Sequence, residues 1–336
     1  MRMLDNVIDN NFYPTIEAKN SNLKHRPVGL GLMGYQDALY KLDLCFDTDE
    51  AVEFADQSME MISFYAINAS SNLAKERGAY ESFEGSKWSR GIFPVDTLEL
   101  LEKERGVELK INKTTRLNWD ELKNKVKSQG MRNSNTMAIA PTATIANIAG
   151  VYPCTEPAYK NIYMKENLSG NFIVINDHLI DSLNEIGLWN DHILNQIKID
   201  NGSLAKILEI PEHIRNKYKE VFEIESEWII KSASRRSKWI DQSASTNIFL
   251  STTSGKLLND TYTMAWEYGL KTTYYLRSLG ATQIQKMTVQ SKSDENTPEK
   301  KETLKATNVA SKPLQQQSIP EVPVCKLNDP SCEACQ

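Results

Sequence analysis

The chain has 336 residues, a formal net charge of -5, 40% hydrophobic residues and 25% charged residues. That is enough chain to bury a real core, as one large domain or two small ones. The acidic balance and the lack of a long basic run argue against a dedicated nucleic-acid surface. No run of roughly 18 apolar residues occurs to span a membrane. MRMLDNVIDN lacks the apolar stretch of a signal peptide. Cys45 and Cys154 are scattered, whereas Cys325, Cys332 and Cys335 crowd the last residues. That is no secreted disulfide scaffold, and a cytoplasmic protein is expected.

In chain order, Leu4, Val7 and Ile8 form a short helical stripe that ends at Asp9-Asn10-Asn11 and Pro14. It reads as the end of a helix, although a frayed terminal helix reads the same way. RPVGLGLMG, Arg26 to Gly34, reads as a strand and tight turn whose glycines allow close backbone packing. Its spacing does not fit a dinucleotide fingerprint. Thr48 to Arg77 is the clearest helix: Val52, Ala55, Met59, Ile62, Ala66, Ala69 and Leu73 share one face, with Thr48 or Asp49 as cap and Gly78 as stop. Asn118 to Lys127 is a second helix, opened by a capping box with Glu121 and closed by Gly130.

That helix delivers the chain to MRNSNTMAIAPTATIANIAGVYPCTEP, Met131 to Pro157. Ser134 to Ala140 is a short buried strand ended by Pro141. Thr142, Thr144, Asn147 and Gly150 follow within ten residues. Such a strand, emptying into a hydroxyl-rich turn with a short helix behind it, can hold phosphate through free N–H groups and two hydroxyls. The bland reading is that the threonines are only caps. Beyond it, Tyr159, Lys160 and Tyr163 read as a polar loop and Phe172 to Ile175 as a short apolar stretch. His178 to Ile186 and Asp191 to Ile199 read as helices, and Pro211 to Trp239 as one long helical region with Arg235 and Arg236 on its surface. Thr246 to Leu250 is a β-branched strand, Leu257 to Tyr268 a helix, and Leu270 to Leu276 a short aromatic strand.

No aromatic residue follows Tyr275, so the polar remainder cannot form a core and should be a disordered tail. It ends in Cys332-Glu333-Ala334-Cys335. A dithiol on such a tail has nothing to staple, which leaves thiol–disulfide exchange or metal binding. Zinc normally needs four ligands, and only Cys325 adds a third, so exchange is favoured. Tyr274 and Tyr275 are adjacent and would point to opposite faces of a regular strand. Helices alternating with short buried strands argue for an α/β fold with a mainly parallel sheet, incomplete for a closed barrel.

PTATIANIAG followed by TEPAYKNIY resembles the substrate-diphosphate loop of the class I ribonucleotide reductase large subunit. RPVGLG resembles one of that family's barrel strands. GLKTTYYLR and the terminal CEAC resemble two further signatures, in the right order, and the similarity runs from Leu4 to Tyr275. The resemblance implies the later half of a ten-stranded α/β barrel over residues 1–285 and a flexible tail over 286–336. It implies that Pro141, Thr142, Ala143 and Thr144 contact the substrate diphosphate, with Ile145 where relatives carry a hydroxyl. It implies that Tyr274 and Tyr275 relay a radical between subunits. Cys332 and Cys335 would then carry electrons from thioredoxin or glutaredoxin to a disulfide in the barrel.

No Asn-x-Cys-x-Glu motif for the thiyl cysteine occurs in the chain. The expectation is one piece of a split large subunit, completed by an N-terminal polypeptide. It would reduce ribonucleoside diphosphates with no cofactor bound directly, and would depend on the diiron-tyrosyl radical of the small subunit. No metal ligands, nucleic acid or membrane are expected. The alternative is a noncatalytic interaction or regulatory protein derived from a barrel fragment. A standalone thiol oxidoreductase would need a compact βαβ context around the CxxC, which the tail denies.

Overall fold

The computed structural model describes residues 1–167, 170–252 and 254–279. The described residues all fall in the unit Met1–Val289. Cys325, Cys332, Cys335 and the expected tail lie outside the described residues. The first half is helical: α1 Arg2–Asn10, α2 Ile16–His25, α3 Tyr35–Lys41, α4 Asp49–Arg77, α5 Thr97–Arg105 and α6 Trp119–Gln129. Then come the short α7 Ile145–Ala149, the strands β1 Ile162–Asn167 and β2 Gly170–Ile175, and α8 Asp177–Glu185, α9 Asp191–Ile199, α10 Glu212–Lys217 and α11 Ser226–Ser237. Finally β3 Ile248–Leu250, α12 Gly255–Glu267 and β4 Leu276–Ser278 complete the described chain.

The caps form where the sequence places them. The Thr48 hydroxyl accepts the Ala51 N–H at the start of α4, and Gly78 ends that helix. At α6 Asn118 Oδ1 accepts the Glu121 N–H as the cap, while the Glu121 carboxylate accepts from the Asn118 side-chain amide rather than from its backbone N–H, so only half of the expected capping box is made.

The expected parallel array forms, but with little regular strand. Leu30 bridges Met137, Ile139 bridges Ala244, and β3 pairs with β4, all in parallel. Four extended segments thus lie side by side, each reached from the last through helical crossovers, which is an α/β arrangement. Regular ladders are confined to two small sheets, the antiparallel β1–β2 hairpin and the parallel β3–β4 pair, and no closed barrel is present among the described residues. The glycines of RPVGLG work as expected: a Cβ on Gly31 would collide with the carbonyl oxygen of Ala138.

Three expectations are corrected. Pro211 to Trp239 is not one helix: α10 ends at Lys217, a single 3-10 turn covers Val221–Glu223, and α11 starts at Ser226. The Glu220 carboxylate turns inward to the Asn161 N–H and Lys160 Nζ, and its own backbone N–H bonds to Glu223, which a continuous helix would forbid. Tyr163 lies in β1 rather than in a loop. Arg236 is buried, not on the surface, with its guanidinium 4.7 Å from the Tyr35 ring centre.

The main core packs α4 and α6 against the parallel segments, with the Trp119 and Trp239 rings stacked at 5.4 Å. Their indole N–H groups donate to the buried carboxylates of Glu60 and Asp56. A second polar cluster joins α1 to the sheet. Asp5 is fully buried and takes ion pairs from Arg26, Arg77 and Arg132, while Asn133 donates to Asp5 and to the Arg26 carbonyl. Burial alone would push the Asp5 carboxyl up. The hydrogen bonds and charges of Arg26 and Arg132 outweigh it and hold the group below its ordinary range.

The Asp5 shift has a definite sign. A carboxylate lowered in the folded state adds stability above the unfolded pKa of ~4, and loses it as pH falls through the folded value. Asp5→Asn should therefore lower stability at neutral pH by roughly 3–5 kcal/mol, since it removes the buried charge that Arg26, Arg77 and Arg132 share and leaves Arg26 only Asp9 and Arg77 only Glu76. Denaturant titrations should show that gap closing as pH falls below ~4. A gap independent of pH would contradict the assignment.

Candidate active site

The central segment, Asn135 to Ala140, determines what lies at each end. Its N-terminal end is tied to the next segment by Asp241, whose carboxylate accepts the N–H groups of Thr136 and Met137 and the Thr136 hydroxyl. A cavity of about 620 Å³ opens at this end, lined by residues that include Trp88, Asn135, Asp241 and Lys271. Asn135 and Lys271, two of its polar groups, are already committed to structure, Asn135 through its amide donated to Asp241. Lys271 donates to the Ile240 and Gln242 carbonyls, and burial pushes its ammonium down to about 8.

The hydroxyl-rich loop stands at the opposite, C-terminal end. There, strand termini in parallel α/β sheets present their loops to ligands. Pro141, Ala143 and Thr144 are exposed and Thr142 is half-buried. The backbone N–H groups of Ala143, Thr144 and Ile145 meet no acceptor among the described residues, and the Thr144 hydroxyl makes no cap bond to α7. Thr142 behaves differently. Its carbonyl accepts the Ala146 N–H, and its hydroxyl oxygen accepts the Cys154 N–H at 2.6 Å. The sequence offers two hydroxyls to a phosphate, whereas the structure commits the Thr142 hydroxyl to Cys154 and leaves that of Thr144 unbonded. Ile145 is exposed and adds no polar group.

The loop's far shoulder is pinned as well. Asp37 on α3 accepts the Tyr152 N–H at 2.7 Å, and Gly34 donates to the Tyr152 carbonyl. Just after Cys154, the buried Glu156 accepts the Asn247 N–H at 2.9 Å beside the buried Arg236. Burial pushes the Glu156 carboxyl up, while the Asn247 N–H and the Arg236 charge oppose this. Sequence reading missed Asp37, Cys154, Glu156 and Arg236. The local signal is thin, because the partners of Cys154, Asp37 and Glu156 lie 12 to 115 residues away and Tyr35 lies farther still from Arg236.

Tyr274 and Tyr275 lie just before β4. Tyr274 donates its N–H to Thr246, and the Tyr275 carbonyl accepts from Ile248, so the backbone runs alongside the third segment. The rings nevertheless meet, with centroids 4.1 Å apart and hydroxyls at 3.3 Å. Both are exposed, at 45% and 55%. A strict two-residue alternation would have sent them to opposite faces. Tyr274 and residues Ala138 to Ala140 line one groove of about 470 Å³, so the ring shares a surface with the backbone that leads into Pro141.

Cys45 and Cys154 are free thiols, and burial pushes both up. Among the described residues, no group of three or more His, Cys, Asp and Glu side chains gathers as metal ligands would, and no helix is long and apolar enough to cross a membrane.

Residues 1–276 match the family model of the ribonucleotide reductase barrel domain. The chain is 50% identical over 337 residues to the ribonucleoside-diphosphate reductase subunit alpha of Chlamydia trachomatis, a match covering 100% of this chain and 32% of that one. It is 42% identical over 300 residues to the ribonucleoside-diphosphate reductase large subunit of Trypanosoma brucei brucei, covering 88% of this chain and 36% of that one. Among solved structures, the class Id ribonucleotide reductase alpha subunit of Actinobacillus ureae superimposes with a TM-score of 0.63 at 25% identity, over 82% of this chain and 45% of that one. The chain thus spans about a third of the length of the curated relatives it matches.

The Tyr274 phenol is raised chiefly by its hydrogen bond to Tyr275. A bond donated by the neutral phenol must be broken on ionisation, so removing the acceptor should lower the ionisation point. A fluorotyrosine placed at position 274 and titrated by NMR should ionise at lower pH in the Tyr275→Phe protein than with Tyr275 present. Coincident titrations would show that the two hydroxyls do not bond in solution.

Proposed function

The chain belongs to the ribonucleotide reductase barrel-domain family, and on that premise we propose that it carries the substrate-phosphate site and the radical relay of a class I ribonucleoside-diphosphate reductase large subunit. The observation that carries this reading is the groove shared by Tyr274 and Ala138 to Ala140. It sets Tyr274, whose ring lies 4.1 Å from that of Tyr275 at an interplanar angle of 47°, on the same surface as the backbone entering the phosphate loop. The fold is then the later half of a ten-stranded α/β barrel over residues 1–285. The four parallel segments support this, and further strands would come from the rest of the large subunit.

In this reading the loop Pro141, Thr142, Ala143 and Thr144 holds the substrate diphosphate. Backbone N–H groups and the Thr144 hydroxyl donate to its oxygens, with N–H groups compensating for the missing hydroxyl at Ile145. Tyr274 and Tyr275 pass an oxidising equivalent inward, and each phenol gives up its proton with its electron. The small subunit's diiron-tyrosyl centre would supply that equivalent, and the chain itself holds no metal or cofactor directly. The thiyl-forming cysteine and the acid–base carboxylate would come from the rest of the large subunit. Loss of the ribose 2'-hydroxyl as water consumes two electrons and two protons from a dithiol, which becomes a disulfide. Cys332 and Cys335 then reduce that disulfide by exchange: a thiolate attacks one sulfur, the second thiol resolves the mixed disulfide, and thioredoxin or glutaredoxin reduces the tail. A tether over 286–336 would give the dithiol a high effective concentration at the site. The protein would act in the cytoplasm, with no nucleic-acid or membrane partner.

Two experiments on the reconstituted reductase test this. Tyr274→Phe or Tyr275→Phe should abolish turnover while substrate binding stays within about threefold, because a relay hydroxyl is lost and no phosphate contact is touched. Turnover above roughly a tenth of wild type would count against the relay.

In the second experiment, Cys332→Ser or Cys335→Ser should stop thioredoxin-driven multiple turnovers. A prereduced complex should still complete about one turnover per site. Loss of that first turnover in rapid-quench counts would mean the two cysteines do more than reload the site. Persistent multiple turnovers would mean they are not the shuttle.

A further inference from the structure

Cys154 adopts φ 58°, the left-handed region that residues with a Cβ avoid. Arg26, Asp43 and Asn201 share this conformation, but Arg26 takes it as the C-cap of α2 and the short polar side chains of Asp43 and Asn201 suit it. Glycine would take the same backbone without strain, so the side chain is what the strain retains. Cys154 is buried at 7% exposure, and its sulfur points at the loop. The Thr142 N–H donates to Sγ at 3.4 Å, and the Thr142 hydroxyl lies 3.6 Å from it. The Thr142 hydroxyl oxygen already faces the Cys154 N–H at 2.6 Å, so its proton is left for the sulfur.

We propose that Cys154 is a positioning residue for the phosphate loop: it takes up both donors of Thr142, making Thr142 the loop's foot and leaving phosphate recognition to the Thr144 hydroxyl and the N–H groups of Ala143, Thr144 and Ile145. This rests on reading the loop as a substrate-diphosphate site. The foot is itself anchored. Two residues on, Glu156 is held by the Asn247 N–H at 2.9 Å and by the Asn247 amide, which ties the foot to the third parallel segment. Burial, reinforced by the Glu156 charge, pushes the Cys154 thiol up, in keeping with a structural thiol rather than a nucleophile.

The test uses the reconstituted reductase with a ribonucleoside diphosphate. Cys154→Gly keeps the left-handed backbone and removes the sulfur. It should raise KM about fivefold or more with kcat within about twofold, and should not lower the melting temperature, since strain is relieved as a contact is lost. Cys154→Ser, which restores an acceptor at the same place, should recover most of the KM. Thr142→Val removes the other half of the pair and should match Cys154→Gly. The double variant should be no worse than either single one, because both remove one coupled unit. Thr142→Val also carries the test if the glycine protein does not fold. An unchanged KM in Cys154→Gly or Thr142→Val, or additive effects in the double variant, overturns the role of Cys154 and leaves the phosphate loop standing. A wild-type complex that turns over but binds nucleoside and nucleoside diphosphate equally well overturns the loop reading, and this inference with it.

Discussion

The described structure depends on how closely the Val28 to Leu32 segment can approach the central one. Leu30 donates to the Thr136 carbonyl and accepts from Ala138, and Gly31 sits directly over the Ala138 carbonyl with no room for a side chain. Any other residue there would push the two backbones apart and break a parallel pairing that has few bonds to lose. The central segment bonds on its other side as well: Ile139 donates to the Ser243 carbonyl and accepts from Ser245, and Asp241 caps its start. The loop after Ala140 therefore begins from a fixed position.

That fixed start is what lets a short loop be a precise one. A five-residue helix contributes little order of its own, so the order has to come from contacts at the loop's two shoulders. Cys154 supplies one shoulder and Asp37, through Tyr152, supplies the other. Between them, the backbone N–H groups of Ala143, Thr144 and Ile145 and the Thr144 hydroxyl are left without a partner among the described residues, beside the exposed Asn147, Ile145 and Ile148 side chains. Rigid support below and exposed donors above is the usual division of labour between a scaffold and a functional loop.

The two tyrosines follow a different logic. Their backbones lie against Thr246 and Ile248, yet regular strand begins only at Leu276. This irregular stretch frees the side chains from alternation, and the rings meet at 4.1 Å instead of parting. In the interior one ring would have been absorbed by the core. Here both stay half out of the protein, where a partner surface can reach them.

Much of this was legible in the sequence, because it depends on neighbours. The caps at Thr48 and Asn118, the stops at Gly78 and Gly130, the α/β alternation and the apolar face of α4 all follow from residues three or four apart. The hydroxyl-rich turn after Pro141 and the adjacency of Tyr274 and Tyr275 could be read in the same way. What tertiary structure decided depends on residues far apart in the chain. Glu220 broke the long helix because Lys160 and Asn161 claimed its carboxylate. Arg236 went inward because Tyr35 offered it a ring face and Thr155 a carbonyl. The Thr142 hydroxyl was taken up by Cys154, twelve residues on in the chain, which no spacing rule foretells. A side chain's hydrogen-bonding capacity is set by its type, but which partner consumes it is settled only when distant segments meet, and no local pattern encodes that choice.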